Sequence, residues 1–276
     1  MHKNNLTDSE YKLFSDYLEK QCGIVLGENK QYLVKSRLSP VLMKFNVADL
    51  SSLVNRLSQR TEQSLRTAVI DAMTTNETLW FRDVYPFDLL KKVIMPAYQG
   101  QERPMRIWSA ACSSGQEPYS LSMTTAEYQI EQTRLPKLSV EILATDISVT
   151  RLEYCKAADY DELALARGLS PERRRQFFEP SEKGKLKVKQ SVRQNVTFRS
   201  FNLLDSYALL GKFDVIFCRN VLIYFSAEVK TKIIKQFAAA LNRGGYLILG
   251  ASESVTALAD DFDMLRCNPG IIYQKK

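Results

Sequence analysis

Five short apolar runs, at residues 105–111, 140–145, 196–201, 213–218 and 245–250, constrain the fold of this chain more than any other feature. Helical patterns separate most of them, as at 227–241. Strands that alternate with helices over this length build an α/β fold with a mostly parallel, doubly wound sheet, because each helix carries the chain back to the end where the next parallel strand starts. Runs at 262–266 and 271–273 suit a closing antiparallel pair. One stretch interrupts the alternation. After helices within 153–175 comes FFEPSEKGKLKVKQSVRQ, whose centre, Lys185-Leu186-Lys187-Val188-Lys189, alternates with period two. Lysines on one side of a short strand protect an exposed sheet edge. A small antiparallel β insertion is therefore expected at about 177–195, beside the main sheet.

The first 75 residues read differently. Thr7 stands three residues before Glu10, the spacing of a capping box. The helix it opens carries Leu6, Tyr11, Phe14, Tyr17 and Leu18 toward a core, and Gly23 ends it. A second helix is expected over 28–44, with a kink at Pro40. It bears Lys30, Lys35, Arg37 and Lys44. Two shorter helices follow at 49–60 and 62–73, which makes this part a small all-α unit.

Composition excludes several chemistries. The single histidine is His2, so triads, the usual zinc sites and imidazole bases are not expected. The five cysteines are scattered without a C-x-x-C pair, which suits free thiols. No apolar run approaches the roughly 18 residues that cross a bilayer, and MHKNNLTDSEYKLF has no signal-peptide core. The net charge of +7 is uneven. Residues 30–66 hold seven Lys/Arg against two Asp/Glu and residues 151–199 twelve against seven, a net +5 in each. Such patches serve nucleic acid, an anionic surface or an acidic protein partner, or simply solubility.

The residues at the strand tips form a set. The first strand leads into WSAACSSGQEPYS (108–120), a strand–turn–helix junction with one glycine, Gly115, and an acid, Glu117. Dinucleotide folds place three glycines there, against a pyrophosphate. The second strand ends in Asp146, the usual position of a ribose-binding acid. The third is followed by Asn202 and Leu203, suited to a base edge and face, and the fourth by Arg219 and Asn220. A nucleoside without phosphates needs no glycine-rich anion cradle, and S-adenosylmethionine is such a ligand. Each group also has a plainer role open to it: Asp146 as a helix cap, Glu117 as a first-turn acid, Asn202 as the start of a turn.

At TNETLWFRD, AACSSGQEPYS, ATDIS, FNLL and CRNVLIYF together, the chain resembles the CheR-type methyltransferases of bacterial chemotaxis, over nearly its whole length. The resemblance implies a Rossmann-like methyltransferase sheet with a small antiparallel insertion, behind an all-α N-terminal domain. It implies methyl transfer from S-adenosyl-L-methionine to glutamates of chemoreceptors, giving glutamyl methyl esters and S-adenosyl-L-homocysteine. On its motifs, Asn76, Thr78, Arg82, Glu117, Asp146, Asn202, Leu203, Arg219 and Asn220 bind the cofactor, and Arg82 and Tyr224 arrange the reacting carboxylate. Lys30, Lys35, Arg37 and Lys44 meet acidic receptor helices. The implied division is a receptor-facing domain at 1–75, a linker at 76–92 and a methyltransferase domain at 93–276. A cytoplasmic enzyme recruited to receptor arrays is implied, with no metal, no nucleic acid and no membrane insertion. Some family members capture a receptor tether by strand addition at the insertion. The loop 179–184 is shorter than theirs, so tether docking is not expected. Two other readings stay open on the residues alone: an RNA methyltransferase using the basic patches, and a cofactor-binding module without turnover.

Overall fold

The structure is a computed structural model and describes residues 6–59, 61–253 and 258–276. His2 and Arg60, the expected end of the third helix, lie outside the described residues. The N-terminal part holds α1 (Asp8–Cys22), α2 (Gln31–Lys44), α3 (Leu50–Leu57) and α4 (Gln63–Met73). The capping box at α1 forms. Thr7 Oγ1 accepts from Glu10 N–H at 3.3 Å, and Glu10 Oε2 accepts from Thr7 N–H at 3.0 Å. Gly23 closes the helix in the left-handed region at φ 77°. The second helix starts three residues later than expected, because Asn29 is itself left-handed at φ 62° and breaks the helical path. It then runs through Pro40 without ending. Tyr11, Phe14, Leu18, Val34, Leu38, Leu53 and Val69 form a separate apolar core among these helices. Each helix turns one stripe inward, which is what their spacing dictated.

The larger part is built on a seven-stranded sheet. Its strands are β1 (Met105–Ala110), β2 (Val140–Asp146), β6 (Val196–Ser200), β7 (Phe213–Cys218), β8 (Leu241–Leu249), β9 (Phe262–Arg266) and β10 (Ile271–Lys275). Their spatial order is β6-β2-β1-β7-β8-β10-β9. The first five run parallel, and β10 enters antiparallel between β8 and β9. Alternate side chains feed two cores. Ile107, Val215, Phe217 and Ile248 face the Gln116–Glu131 helix side, and Trp108, Ile216, Leu247 and Leu249 face the Ala227–Ala240 helix side. This is why FDVIFC is apolar but for Asp214, and wholly buried.

The insertion is a second sheet of three strands, β3 (Asp159–Tyr160), β4 (Phe178–Pro180) and β5 (Leu186–Val188), in the order β3-β5-β4. The lysine-bearing run is therefore the middle strand and not a protected edge. Lys187 stands opposite Asp159 on one side and Glu179 on the other, so its charge answers cross-strand acids. The third strand comes from residues well before 177, and two residues are too few to show a period.

At the opposite end of β7 from the strand tips, Asp214 is fully buried. It accepts two hydrogen bonds from Arg103 at 2.7 Å, one from Arg106 N–H at 2.9 Å and one from Asn242 at 2.8 Å. Burial pushes its carboxyl up, but the bonds from Arg103, the Arg106 amide and Asn242 outweigh this and hold it below the ordinary carboxylate range. Asp214→Ala should lower unfolding stability by about 1–3 kcal/mol, the cost of stranding a buried amide, since the half-exposed Arg103 regains water. The group's folded-state pKa is depressed. Its stabilisation is therefore complete above the unfolded value and lost as pH falls through the folded one. Urea unfolding at neutral pH should separate the two chains, and the gap should close in acid. A gap unchanged by acid would contradict this role.

Candidate functional site

The strand order reverses between β1 and β7, and in open α/β sheets the crevice at such a switch point holds the ligand. A cavity of about 320 Å³ opens there, within the range of small-molecule sites. It is lined by Asn76, Thr78, Arg82, Glu117, Asp146, Asn202, Leu203, Arg219 and Asn220, and by Tyr224. These residues come from five separate stretches of the sequence, and the fold brings them to one place.

The loop after β1 explains its single glycine. Ala111 and Ser113 take left-handed φ values of 61° and 51°, and Gly115 one of 91°. A Cβ on Gly115 would lie 2.9 Å from the Tyr160 hydroxyl and 3.1 Å from Cys155 Sγ. Glycine is needed there for crowding and backbone direction, and not for an anion. Ser113 N–H donates to Asp146 at 2.7 Å, and Ser148 N–H donates to the other carboxylate oxygen at 2.9 Å. Asp146 thus ties the loop to the turn after β2. The helix that follows is capped by Ser148, whose Oγ accepts from Arg151 N–H at 3.1 Å. Burial pushes the Asp146 carboxyl above its usual range, and the amides of Ser148 and Ser113 only partly offset this.

Charge concentrates at the junction of β1 and β7. Glu117 accepts from Ser109 Oγ at 2.7 Å and lies 3.5 Å from Arg219. Burial raises its carboxyl, with Arg219 pulling the other way. The Arg219 side chain is 1% exposed and also pairs with Asp83. Its Nε and the Oδ1 of Asn220 are buried without a hydrogen-bond partner among the described residues. Buried polar atoms are seldom left so, and a donor and an acceptor on cavity-lining residues fit the amino-acid end of a ligand. Two buried carboxylates on the same walls suit a cationic nucleoside, and Asp146 suits its ribose hydroxyls. The residues present therefore fit S-adenosylmethionine.

Because both carboxyls titrate above the ordinary range, cofactor affinity should weaken as pH falls while typical carboxylates are still ionised. The sign follows from the ligand: a cation and hydroxyl donors favour the ionised acid, which is lost on acidification. Titration calorimetry across this range checks it, and a flat profile would rule out these acids as ligands.

Several lining groups carried no sequence signal that was used. The α1–α2 connection crosses the strand tips, placing Cys22, Ile24, Val25 and Leu26 on the cavity wall. Val25 N–H donates to Tyr224 O at 2.9 Å. Asn202 Nδ2 donates to Gln21 O at 2.7 Å, and its Oδ1 accepts from Leu204 N–H at 3.1 Å, so it fastens a turn as well as facing the cavity. The aperiodic apolar run IVLG was the available clue. Glu253 was also missed: it accepts from the amides of Asn220, Leu222 and Gly250 at 2.7–2.8 Å and shapes the loop after β7. Of the four basic residues on or beside α2, Lys30 and Arg37 line the cavity, while Lys35 and Lys44 are exposed outside it. Arg37 Nη1 donates to Met73 O at 2.8 Å and Nη2 to Thr75 Oγ1 at 3.2 Å, tying α2 to the segment that carries Asn76.

A doubly wound sheet whose switch point holds a ribose-type acid and a small-residue loop, with few glycines at the phosphate position, suits an S-adenosylmethionine-dependent methyltransferase. Residues 9–74 match the CheR methyltransferase all-alpha domain, and residues 76–271 match the CheR methyltransferase SAM binding domain. The chain belongs to the CheR methyltransferase family, and S-adenosyl-L-methionine is its cofactor. It is 60% identical over 273 residues to a chemotaxis protein methyltransferase of Vibrio parahaemolyticus, covering 98% of each chain. It is 52% identical over 278 residues to one of Pseudomonas putida, covering 100% of each. With one of Klebsiella aerogenes it shares 32% identity over 263 residues, 93% of this chain and 87% of that relative. Among solved structures, the magnesium protoporphyrin IX methyltransferase of Synechocystis is 16% identical, with a TM-score of 0.38 over 99% of this chain and 98% of that one. Among the described residues, no helix is long and apolar enough to cross a membrane, and no cluster suits a metal ion.

Proposed function

We propose that this chain methylates glutamate side chains on the cytoplasmic helical domain of chemoreceptors; its similarity to chemotaxis protein methyltransferases supports a chemotaxis substrate. The observation that carries the reading is that Arg82 and Tyr224 line the same cavity as the acidic cofactor groups. Arg82 is partly buried, and its one hydrogen bond among the described residues is a 3.5 Å contact to Glu77 O, with Glu117 the buried acid its charge acts on, so it keeps donors for a carboxylate.

Bound S-adenosyl-L-methionine supplies a methyl group on a sulfonium, which a carboxylate oxygen displaces to leave the neutral thioether. A glutamate has a pKa of about 4.3 and is already an anion at neutral pH. No general base is needed, which suits a chain whose single histidine is His2. What the chain supplies is alignment and partial dehydration. Arg82 holds the carboxylate, the Tyr224 hydroxyl fixes its second oxygen, and the apolar wall of Ile24, Val25 and Phe225 excludes water. Asn76, Thr78, Glu117, Asp146, Asn202, Leu203, Arg219 and Asn220 hold the cofactor, and Arg82 touches it as well as the acceptor carboxylate. The N-terminal helices at 1–75 face the receptor and offer Lys30, Lys35, Arg37 and Lys44 to acidic helices. Residues 76–92 link them to the methyltransferase domain at 93–276, and the enzyme works in the cytoplasm at receptor arrays without tether docking.

Methyl-labelled cofactor, the purified chain and receptor-bearing membranes test the reading. Label on a receptor-sized band, released by mild base as methanol, is the expected result. Base-stable label on RNA, or cofactor binding with no transfer to any receptor, would replace it.

A further inference from the structure

Arg82 sits in a segment of unusual backbone. Phe81, Asp83 and Val84 all take left-handed φ values, of 48°, 63° and 55°. Such conformations persist in bulky residues only where the surroundings impose them. On one side the imposing groups come from the β insertion. Trp80 N–H donates to Arg167 O and its indole Nε1 to Ala164 O, each at 3.0 Å. The indole meets the rings of Tyr160 and Phe178 edge-on at 4.9 and 5.3 Å. The guanidinium of Arg173 lies 3.5 Å from the centre of the Phe81 ring. That guanidinium is fixed in turn by a two-pronged pair with Glu127, at 2.6 and 3.0 Å. On the other side, Asp83 is held by Arg219. Arg82 thus lies between two pinned neighbours and lines the cavity.

We infer that the β insertion is the positioning element for Arg82, and that Arg173 is the positioning residue through which it acts. Arg173 clamps the Phe81 ring against the Gln116–Glu131 helix, which carries Glu127 and whose Ser120 Oγ accepts from Phe81 N–H at 3.1 Å. With Phe81 held left-handed, Arg82 lines the cavity. Loss of the clamp lets Phe81 relax to an ordinary φ and swings Arg82 off the acceptor. A lysine cannot replace it, since it offers no planar face to the ring and no fork to the carboxylate. The inference rests on the reading that Arg82 orients the acceptor carboxylate.

The test is a double-mutant cycle on receptor methylation with the full-length chain, using Arg173→Ala, Arg82→Ala and the double variant. Arg173→Ala should lower kcat about 10- to 100-fold, the scale of a small misplacement of a reacting group. Cofactor affinity and the receptor KM should hold. On the Arg82→Ala background the same change should cost nothing further, because its effect passes through Arg82. Equal losses on both backgrounds would overturn the inference, as would a loss that follows cofactor affinity alone. If Arg173→Ala does not fold, Arg173→Lys should show a comparable loss and Glu127→Gln a smaller one, both with the same dependence on Arg82. An Arg82→Ala chain with full kcat would refute the underlying role of Arg82 instead, and that single variant tells the two failures apart.

Discussion

Replacing Arg82 by alanine should lower the kcat of receptor methylation about 100-fold while the chain stays folded and still binds cofactor. One hydrogen-bonded contact to a charged group is worth about 1.5–3 kcal/mol, and about 2.7 kcal/mol corresponds to that factor. Alignment of two reactants as a whole can contribute roughly 7–11 kcal/mol, so Arg82 accounts for part of it and the cavity shape for the rest. The loss should fall on kcat, since the contact matters most when the carboxylate is aimed at the methyl group. A change confined to the receptor KM would make Arg82 a docking residue instead. Tyr224→Phe should cost less, because it removes one neutral donor and keeps the ring in the wall. Stability should move little, because among the described residues the Arg82 guanidinium has one long hydrogen bond, to Glu77 O, and its attraction to Glu117 to lose, and Glu117 keeps Arg219.

The second large effect is expected at Gly115. Gly115→Ala should destabilise the fold by about 2–5 kcal/mol, from roughly 1–2 for a left-handed alanine and roughly 1–3 for overpacking. The new methyl would lie 2.9 Å from the Tyr160 hydroxyl, which is buried and donates to Ser114 O at 2.7 Å. Something in that contact must move, and the loop is the softer partner. Because Ser113 N–H holds Asp146, a shifted loop should also weaken cofactor binding. Thermal unfolding with and without S-adenosylmethionine would show both effects. A variant with unchanged midpoint and affinity would mean that the crowding around Gly115 relaxes freely.

Much of the site was legible because it sits at strand tips. A parallel strand announces itself as a short apolar run, and the residues just past its end lie in the crevice whatever the rest of the chain does. Glu117, Asp146, Asn202 and Arg219 were found that way. The wall built by Cys22, Ile24, Val25 and Leu26 was not, because it belongs to a helix connection nearly 180 residues before Asn202, which it meets through Gln21 O (a sequence separation of 181). Glu253 escaped for a similar reason. An acid in a loop looks solvated until three amides are found pointing at it.

Local chemistry determined the elements of this protein: capping and stripes made the N-terminal helices, and apolar alternation made the sheet. Motif spacing then marked the strand-tip groups. Only the tertiary structure decided how those groups are held. It made the lysine-bearing strand the middle of the insertion, turned Asn202 to Gln21, joined Arg219 to Asp83 and set Arg173 over Phe81. Each of these contacts joins residues far apart in the chain or reverses an inference from local pattern. Periodicity reports which face of an element is apolar, and carries no information about which distant polar group will meet it there.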